Sequence, residues 1–326
     1  MNDPDPLCAS ARAVTVPEVI NRDVIIRDVI IRDVVIRDVV IREVGPRDGL
    51  QSEAPVDPSR RLDLAIELAM SGLSHVEAAA FVSPRAVPSM AGAGEVFAGL
   101  PALEDVRWWA LVPNRRGAEL ARAAGANALT VTMSASAEYS KKNVGMSTSG
   151  ALVALAEIAA VAGHAAIDVV VSCAFGSPFG DVADPGAVAA VVDHVRAIST
   201  GAITLADTTG TATPRRIASV LRAVGGDVGL HLHDTRGTAL VNALSAMDLG
   251  VTRFDTSVGG LGGSPFAPGA GGNLATEDLV LVLEDSGVRT GVDLDVLLGI
   301  SRRLPELVGH GVPSRVSAAG RLVSFG

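Results

Sequence analysis

The triplet His231-Leu232-His233 sets two imidazoles two residues apart inside an apolar run. On a strand, residues i and i+2 point to the same side, so both rings share one face while Leu230 and Leu232 take the other. Two convergent imidazoles suit a divalent metal. The alternative is a pair of hydrogen-bonded histidines, which needs a donor and an acceptor around each ring. A second cluster lies in Glu43-Val44-Gly45-Pro46-Arg47-Asp48-Gly49. Asp48 can give a carboxylate to the same ion, and Arg47 a fixed cation beside it; an ordinary ion pair in a loop is the competing reading. The glycine-rich stretch from Gly259 to Asn273 can close over a ligand, and Asn273 offers a carbonyl oxygen. Two histidines, an aspartate and an asparagine, with positions left for water, describe Mg²⁺ or Mn²⁺ better than structural zinc. Glu77 and Asp207 are further acids near predicted strand ends, suited to catalysis or to capping. Lys141 and Lys142, the only two lysines, suit either phosphate contact or a solvated charge pair.

The elements that must position these groups alternate between branched-apolar runs and helical patterns, the mark of βαβ units. Eight strands are predicted: Val39–Val44, His75–Ala79, Trp108–Leu111, Leu129–Met133, Asp168–Ser172, Ile203–Ala206, Gly229–His233 and Arg253–Ser257. Asp57-Pro58, Asp184-Pro185 and Thr213-Pro214 each read as a cap followed by the first helical residue. In the first of these helices Leu62, Ile66 and Ala69 fall on one face, the predicted inner one. No G-x-G-x-x-G opens the first helix, so a closed (β/α)₈ TIM barrel is expected rather than a doubly wound sheet. A short C-terminal helical segment around Leu294–Leu307 and a tail follow it. In such barrels the carboxyl ends of the strands carry the active site, and the candidate residues all fall there.

Residues 22–43 hold a tandem five-residue repeat, RDVII twice, RDVVI twice, then Arg42-Glu43. A period of five turns a helix by about 140° per copy and flips the buried face of a strand, so it suits neither as one long element. Only the last copy is expected to be structural, as the first strand. The expected organisation is therefore an extension over 1–38, a catalytic barrel over 39–300, and a C-terminal segment over 301–326.

The chain of 326 residues is 48% hydrophobic but only 3% aromatic, a composition matched to a core of branched aliphatics. A net charge of −9 argues against nucleic acid and acidic membranes as partners. Two cysteines, Cys8 and Cys173, are too few for a disulfide framework, and the acidic, proline-broken start resembles no targeting peptide. A cytoplasmic setting is the simplest expectation.

Four stretches, EVGPRDGLQSE at 43–53, VEAAAFVSPRAVPSM at 76–90, HLHDTRGTALVNAL at 231–244 and GGLGGSPFAPGAGGNLATEDLV at 259–280, resemble the hydroxymethylglutaryl-CoA lyase family. The resemblance spans about residues 40–300. It implies a metal held by Asp48, His231, His233 and Asn273, with Arg47 polarising a thioester carbonyl and stabilising an enolate. Glu77 and Asp207 match acids around the substrate's hydroxyl and carboxylate. It implies an acyl-CoA substrate, a homo-oligomer, and a role in leucine degradation and ketone body formation. One position departs from the pattern: Ser264 stands where the family usually carries a loop cysteine that shuttles a proton. The implied reaction is cleavage of 3-hydroxy-3-methylglutaryl-CoA to acetoacetate and acetyl-CoA. Alternatives are a lyase for another 3-hydroxy-acyl-CoA, and a CoA-binding relative with little turnover. Condensing synthases of the isopropylmalate type are disfavoured, since they read HND and RDGEQ where this chain has HDT and RDGLQ.

Overall fold

Eight short parallel strands close on themselves into one barrel: β1 Val40–Glu43, β2 His75–Ala80, β3 Arg107–Leu111, β4 Ala128–Ser134, β5 Ala166–Ser172, β6 Ala202–Asp207, β7 Gly229–Leu232 and β8 Arg253–Thr256. The computed structural model describes residues 38–180, 184–263 and 271–321. Each observed strand lies within two residues of its predicted span. Closure comes from β1 pairing with β8, Val40 opposite Arg253 through to Glu43 opposite Thr256. Each strand turns apolar residues outward against the surrounding helices, which is why Ile41, Val76, Leu129, Val169, Leu205, Leu230 and Phe254 are all buried. The last copy of the pentapeptide repeat supplies β1. The earlier copies, and the expected 1–38 extension apart from Asp38, lie outside the described residues.

All three proline-marked helix starts occur. Asp57, Asp184 and Thr213 cap α1 (Pro58–Met70), α6 (Pro185–Ile198) and α7 (Pro214–Val224), accepting from the backbone N–H of Ser59, Ala187 and Arg216. Such caps satisfy helix-end amides that would otherwise lack a partner within the helix. The helices α2 (Ala93–Gly99), α3 (Arg115–Ala123), α4 (Ala137–Val144) and α5 (Thr148–Ala162) lie between α1 and α6 in the chain.

The inner face of α1 differs from the predicted one. Arg61, Leu64, Ala65, Leu68 and Ala69 are buried, a full i, i+3, i+4, i+7, i+8 stripe, whereas Leu62 and Ile66 are half-buried. The small Ala65 and Ala69 let the helix approach the barrel. Arg61 turns inward because its guanidinium finds the Ala91 carbonyl and the Met90 sulfur.

After β7 comes α8 (Ala239–Asp248), and after β8 comes α9 (Thr276–Asp285). The predicted C-terminal segment resolves into α10 (Leu294–Ser301), α11 (Leu304–Val308) and α12 (Arg315–Ala319). Asp278 of α9 ties down the start of α12, accepting from the Ser314 hydroxyl and the Val316 amide at 2.7 and 2.9 Å. Among the described residues no helix is long and apolar enough to cross a membrane.

Candidate metal and catalytic site

His231 lies on β7 and His233 one residue past its end, both buried, with their Nε2 atoms 3.2 Å apart. Returning from the glycine-rich loop, the chain runs beside this strand end. Leu274 donates its amide to the Leu232 carbonyl at 2.8 Å, Asp234 donates to the Gly272 carbonyl at 2.9 Å, and His233 pairs antiparallel with Asn273. This short bridge delivers Asn273 to the histidines from 40 positions on in the chain.

Asp48 arrives from the other side. After β1 the backbone closes a single wide turn, Gly45–Gly49, in which the amides of Arg47, Asp48 and Gly49 all donate to the Val44 carbonyl. Asp48 Oδ2 accepts from Asn273 Nδ2 at 2.9 Å and lies 3.8 Å from His231 Nε2. Ligand atoms from Asp48, His231 and His233 all fall within 4.8 Å of one another, a spacing that could hold a metal ion. The four residues read from the sequence as a ligand set therefore meet in one place.

An orphaned atom argues that a cation fits there. Asn273 Oδ1 is buried and has no hydrogen-bond partner among the described residues. Asn273 spends its N–H donors on Asp48 and the Leu261 carbonyl, which leaves the amide oxygen as a bare acceptor. Burial, together with neighbouring His231, pushes His233 down to about 4, so its imidazole is neutral and able to coordinate. For Asp48 burial works the other way, but Arg47 and the two histidines together hold its carboxyl below the usual range. A donor set of two ring nitrogens, a carboxylate and an amide oxygen suits a divalent ion that accepts mixed N/O ligands.

Arg47 is buried beside this cluster. Its Nη1 donates to Asp48 Oδ1 at 2.6 Å and its Nε donates to Glu77 Oε2. A guanidinium has five N–H donors, so capacity remains for a substrate oxygen. Glu77 lies within β2, which runs on to Ala80, one residue past its predicted end. The pairing of β2 with β3 slips between Glu77 and Ala79. Such an irregularity re-aims a side chain, and Glu77 Oε1 is buried with no partner among the described residues.

Asp207 does end β6, as predicted, but both its oxygens are engaged by the following loop. Oδ1 accepts from the Thr211 amide at 2.8 Å and Oδ2 from the Ala212 amide at 3.0 Å. Burial raises its carboxyl above the ordinary range against those two bonds. Lys142 is exposed in α4, its ammonium 3.8 Å from the centre of the Phe179 ring. Ser264 lies outside the described residues.

The sequence reading missed a buried polar layer below the site. Arg42 of β1 forms ion pairs with Asp255 of β8 and Asp168 of β5, each at 2.7 Å, and its guanidinium lies 5.0 Å from the Trp109 ring centre. Asp255 Oδ2 lies 3.3 Å from His231 Nδ1. Also missed were Glu43 and Glu277, which grip the turn Val258–Gly260 leading into the glycine-rich loop. Glu43 accepts from the Val258 amide and Glu277 from the Gly259 amide. The signal was present: a charge inside a predicted parallel strand must find a partner, because both faces are covered. By sequence, Arg42 falls at the end of the repeat and Glu43 only heads the turn that carries Asp48, with no role assigned to either.

Known proteins agree with this geometry. The chain is 41% identical over 284 residues to a hydroxymethylglutaryl-CoA lyase of Pseudomonas mevalonii, covering 85% of this chain and 94% of that one. It is 38% identical over 295 residues to an (R)-citramalyl-CoA lyase of Chloroflexus aurantiacus, covering 85% and 93%. A solved structure of an HMG-CoA lyase from Acinetobacter baumannii, in complex with coenzyme A and 3-methylmalate, superposes with a TM-score of 0.84 at 40% identity, covering 89% of this chain and 97% of that one. The family model described as HMGL-like matches residues 38–304. A closed parallel barrel, the two histidines with Asp48 and Asn273 at its mouth, and this likeness over most of the length agree: the chain belongs to the hydroxymethylglutaryl-CoA lyase family of enzymes.

Proposed function

We propose that this enzyme cleaves 3-hydroxy-3-methylglutaryl-CoA to acetoacetate and acetyl-CoA, using Mg²⁺ or Mn²⁺ held by Asp48, His231, His233 and Asn273. The observation that carries the reading is the meeting of those four side chains beside the Arg47–Glu77 pair, in a chain 41% identical to a lyase with that activity. When bound, the ion supplies Lewis-acid charge that makes a substrate hydroxyl easier to ionise.

The rest falls to the protein's own groups. Cleavage removes the proton of the C3 hydroxyl and breaks the C2–C3 bond, so that C3–O becomes a ketone carbonyl. The electron pair of the broken bond passes to the acetyl-CoA fragment as a thioester enolate. Arg47, immobilised by Glu77 and Asp48, meets the charge on the thioester oxygen; such fixed donors act most strongly where charge develops. Glu77 Oε1, unpartnered among the described residues, is the carboxylate oxygen best suited to accept the hydroxyl proton. Asp207, whose oxygens hold the Thr211 and Ala212 amides, shapes the loop after β6 and contributes charge near His231.

The enolate still needs a proton at C2. Ser264 relays it from water, since a serine hydroxyl is a far weaker acid than a thiol of pKa about 8.5. Substituting Ser264→Cys should raise turnover; an unchanged rate would remove Ser264 from the proton path. The same proposal extends to a homo-oligomer acting on its acyl-CoA within leucine degradation and ketone body formation, as the family resemblance implies, and to the cytoplasmic setting that the low cysteine count suggests.

The likeness to a citramalyl-CoA lyase supports a second reading, in which another 3-hydroxy-acyl-CoA is the substrate. The deciding experiment assays acetyl-CoA release from a panel that includes both thioesters, with Mg²⁺, with Mn²⁺, and after chelation. Acetoacetate from hydroxymethylglutaryl-CoA, lost on chelation and restored by either ion, is the expected outcome. Release from citramalyl-CoA alone would favour the second reading. Thioester binding without release from any member would leave a CoA-binding relative and defeat both.

A further inference from the structure

Asp255 and His231 are register neighbours on β8 and β7, and Asp255 Oδ2 lies 3.3 Å from His231 Nδ1. A carboxylate so placed accepts, so the ring proton belongs on Nδ1, and the lone pair of Nε2 is left facing Asp48 and His233. Asp255 is in turn held by a fork: Arg42 Nε donates to Oδ1 at 2.9 Å and Nη2 donates to Oδ2 at 2.7 Å. The remaining arm of the guanidinium, Nη1, lies 2.7 Å from Asp168, which also accepts from the Thr204 hydroxyl at 2.8 Å. All of these groups are buried, and two carboxylates on one guanidinium leave a surplus negative charge beneath the cluster.

We propose that Asp255, clamped by Arg42, is the positioning residue that fixes the orientation and tautomer of His231 and thereby sets the site's affinity for a divalent cation. The inference rests on the metal-site reading above. His233 has no such support; its Nδ1 is without a partner among the described residues, so His231 is the ligand prepared before the ion arrives. Partners that orient a metal-binding imidazole in this way act on affinity through its basicity and geometry. A merely structural trio would tie β1, β5 and β8 together and leave the ion's affinity alone.

The full-length protein separates the two. Mn²⁺ titration followed by electron paramagnetic resonance should show Asp255→Asn weakening the dissociation constant about 10–100-fold, while Asp168→Asn stays within about threefold of wild type. Asp168 is the matched control: equally buried, paired to the same arginine, and without a bond to His231. Both variants should lose thermal stability. Equal weakening in the two, or wild-type affinity in Asp255→Asn, would overturn the proposal.

A second measurement needs no variant. Long-range ¹H–¹⁵N correlation at alkaline pH, with and without Mg²⁺, should report His231 as the Nδ1–H form in both states. An Nε2–H form in the metal-free wild type would overturn the proposal even if Asp255→Asn does not fold. A wild type that binds no Mn²⁺ at all would instead defeat the metal-site reading, with the tautomer still read independently.

Discussion

Adding one methyl group at Gly262 should damage the proposed metal site without changing any proposed ligand chemically. Gly262 has φ of +112°, and a Cβ there would lie 2.4 Å from Asn273 Nδ2 and 3.4 Å from the Asp48 carbonyl oxygen. Backbone in that region costs an L-residue about 1–3 kcal/mol. The methyl also forces the Asn273 amide to rotate, which breaks its bonds to Asp48 Oδ2 and to the Leu261 carbonyl, both 2.9 Å. The bond to the carboxylate is worth about 1.5–3 kcal/mol and the other about 1. Partial re-bonding to water returns some of this, so Gly262→Ala should lose about 2–5 kcal/mol of stability. Rotation also turns Oδ1 away from the site, so Mn²⁺ affinity should fall about tenfold or more. Denaturant unfolding of the metal-free protein reads the first effect and Mn²⁺ titration the second. Gly299→Ala is the control, since nothing lies within 4 Å of its Cβ position; in α10 it should change stability by no more than about 1 kcal/mol. A Gly262→Ala protein that is destabilised yet binds Mn²⁺ like wild type would refute Asn273 as a ligand.

Further outcomes follow from the buried charges. Burial pushes the Glu43 carboxyl from 4.5 up to about 7, so between those values the folded protein holds a proton that the unfolded chain has lost. That contribution to stability is fully present below about 4.5 and is lost as pH rises through about 7, a change on the order of 3 kcal/mol. Glu43→Gln, whose amide oxygen can still accept from the Gly45 and Val258 amides, should flatten the fall in melting temperature across this window; an unaltered slope would contradict the assignment. Arg47→Lys should lower kcat about 10²–10³-fold, because an ammonium cannot bridge Glu77, Asp48 and a thioester oxygen together. A kcat within about threefold of wild type, with only KM raised, would reduce Arg47 to a binding residue.

Much of the barrel was legible because its signals are local. A branched run bounded by polar turns needs no knowledge of its neighbours to be a strand, and a capping residue before proline needs only the next turn of chain. The meeting of Asp48 with the two histidines was nearly as legible: i, i+2 geometry puts two imidazoles on one face, and strand ends in a parallel barrel share a mouth. The inner face of α1 was harder, because Leu62 and Ile66 outrank Ala65 in hydrophobicity. Close approach to the barrel favours the smaller side chain, and only the packed helix reveals that preference.

The amino-acid sequence by itself determined eight parallel strands, the helix starts, and a set of N and O donors at the ends of strands. Tertiary structure alone decided which charges meet. Asn273 reaches Asp48 across 225 positions and Arg42 reaches Asp255 across 213, so no local pattern marks either pair. Glu77 is aimed by a slip in strand pairing, which depends on the partner strand as much as on its own residues. Composition and periodicity act over a few neighbours, whereas pairing buried charges is a condition on the closed barrel as a whole, because low-dielectric surroundings penalise any that remain alone.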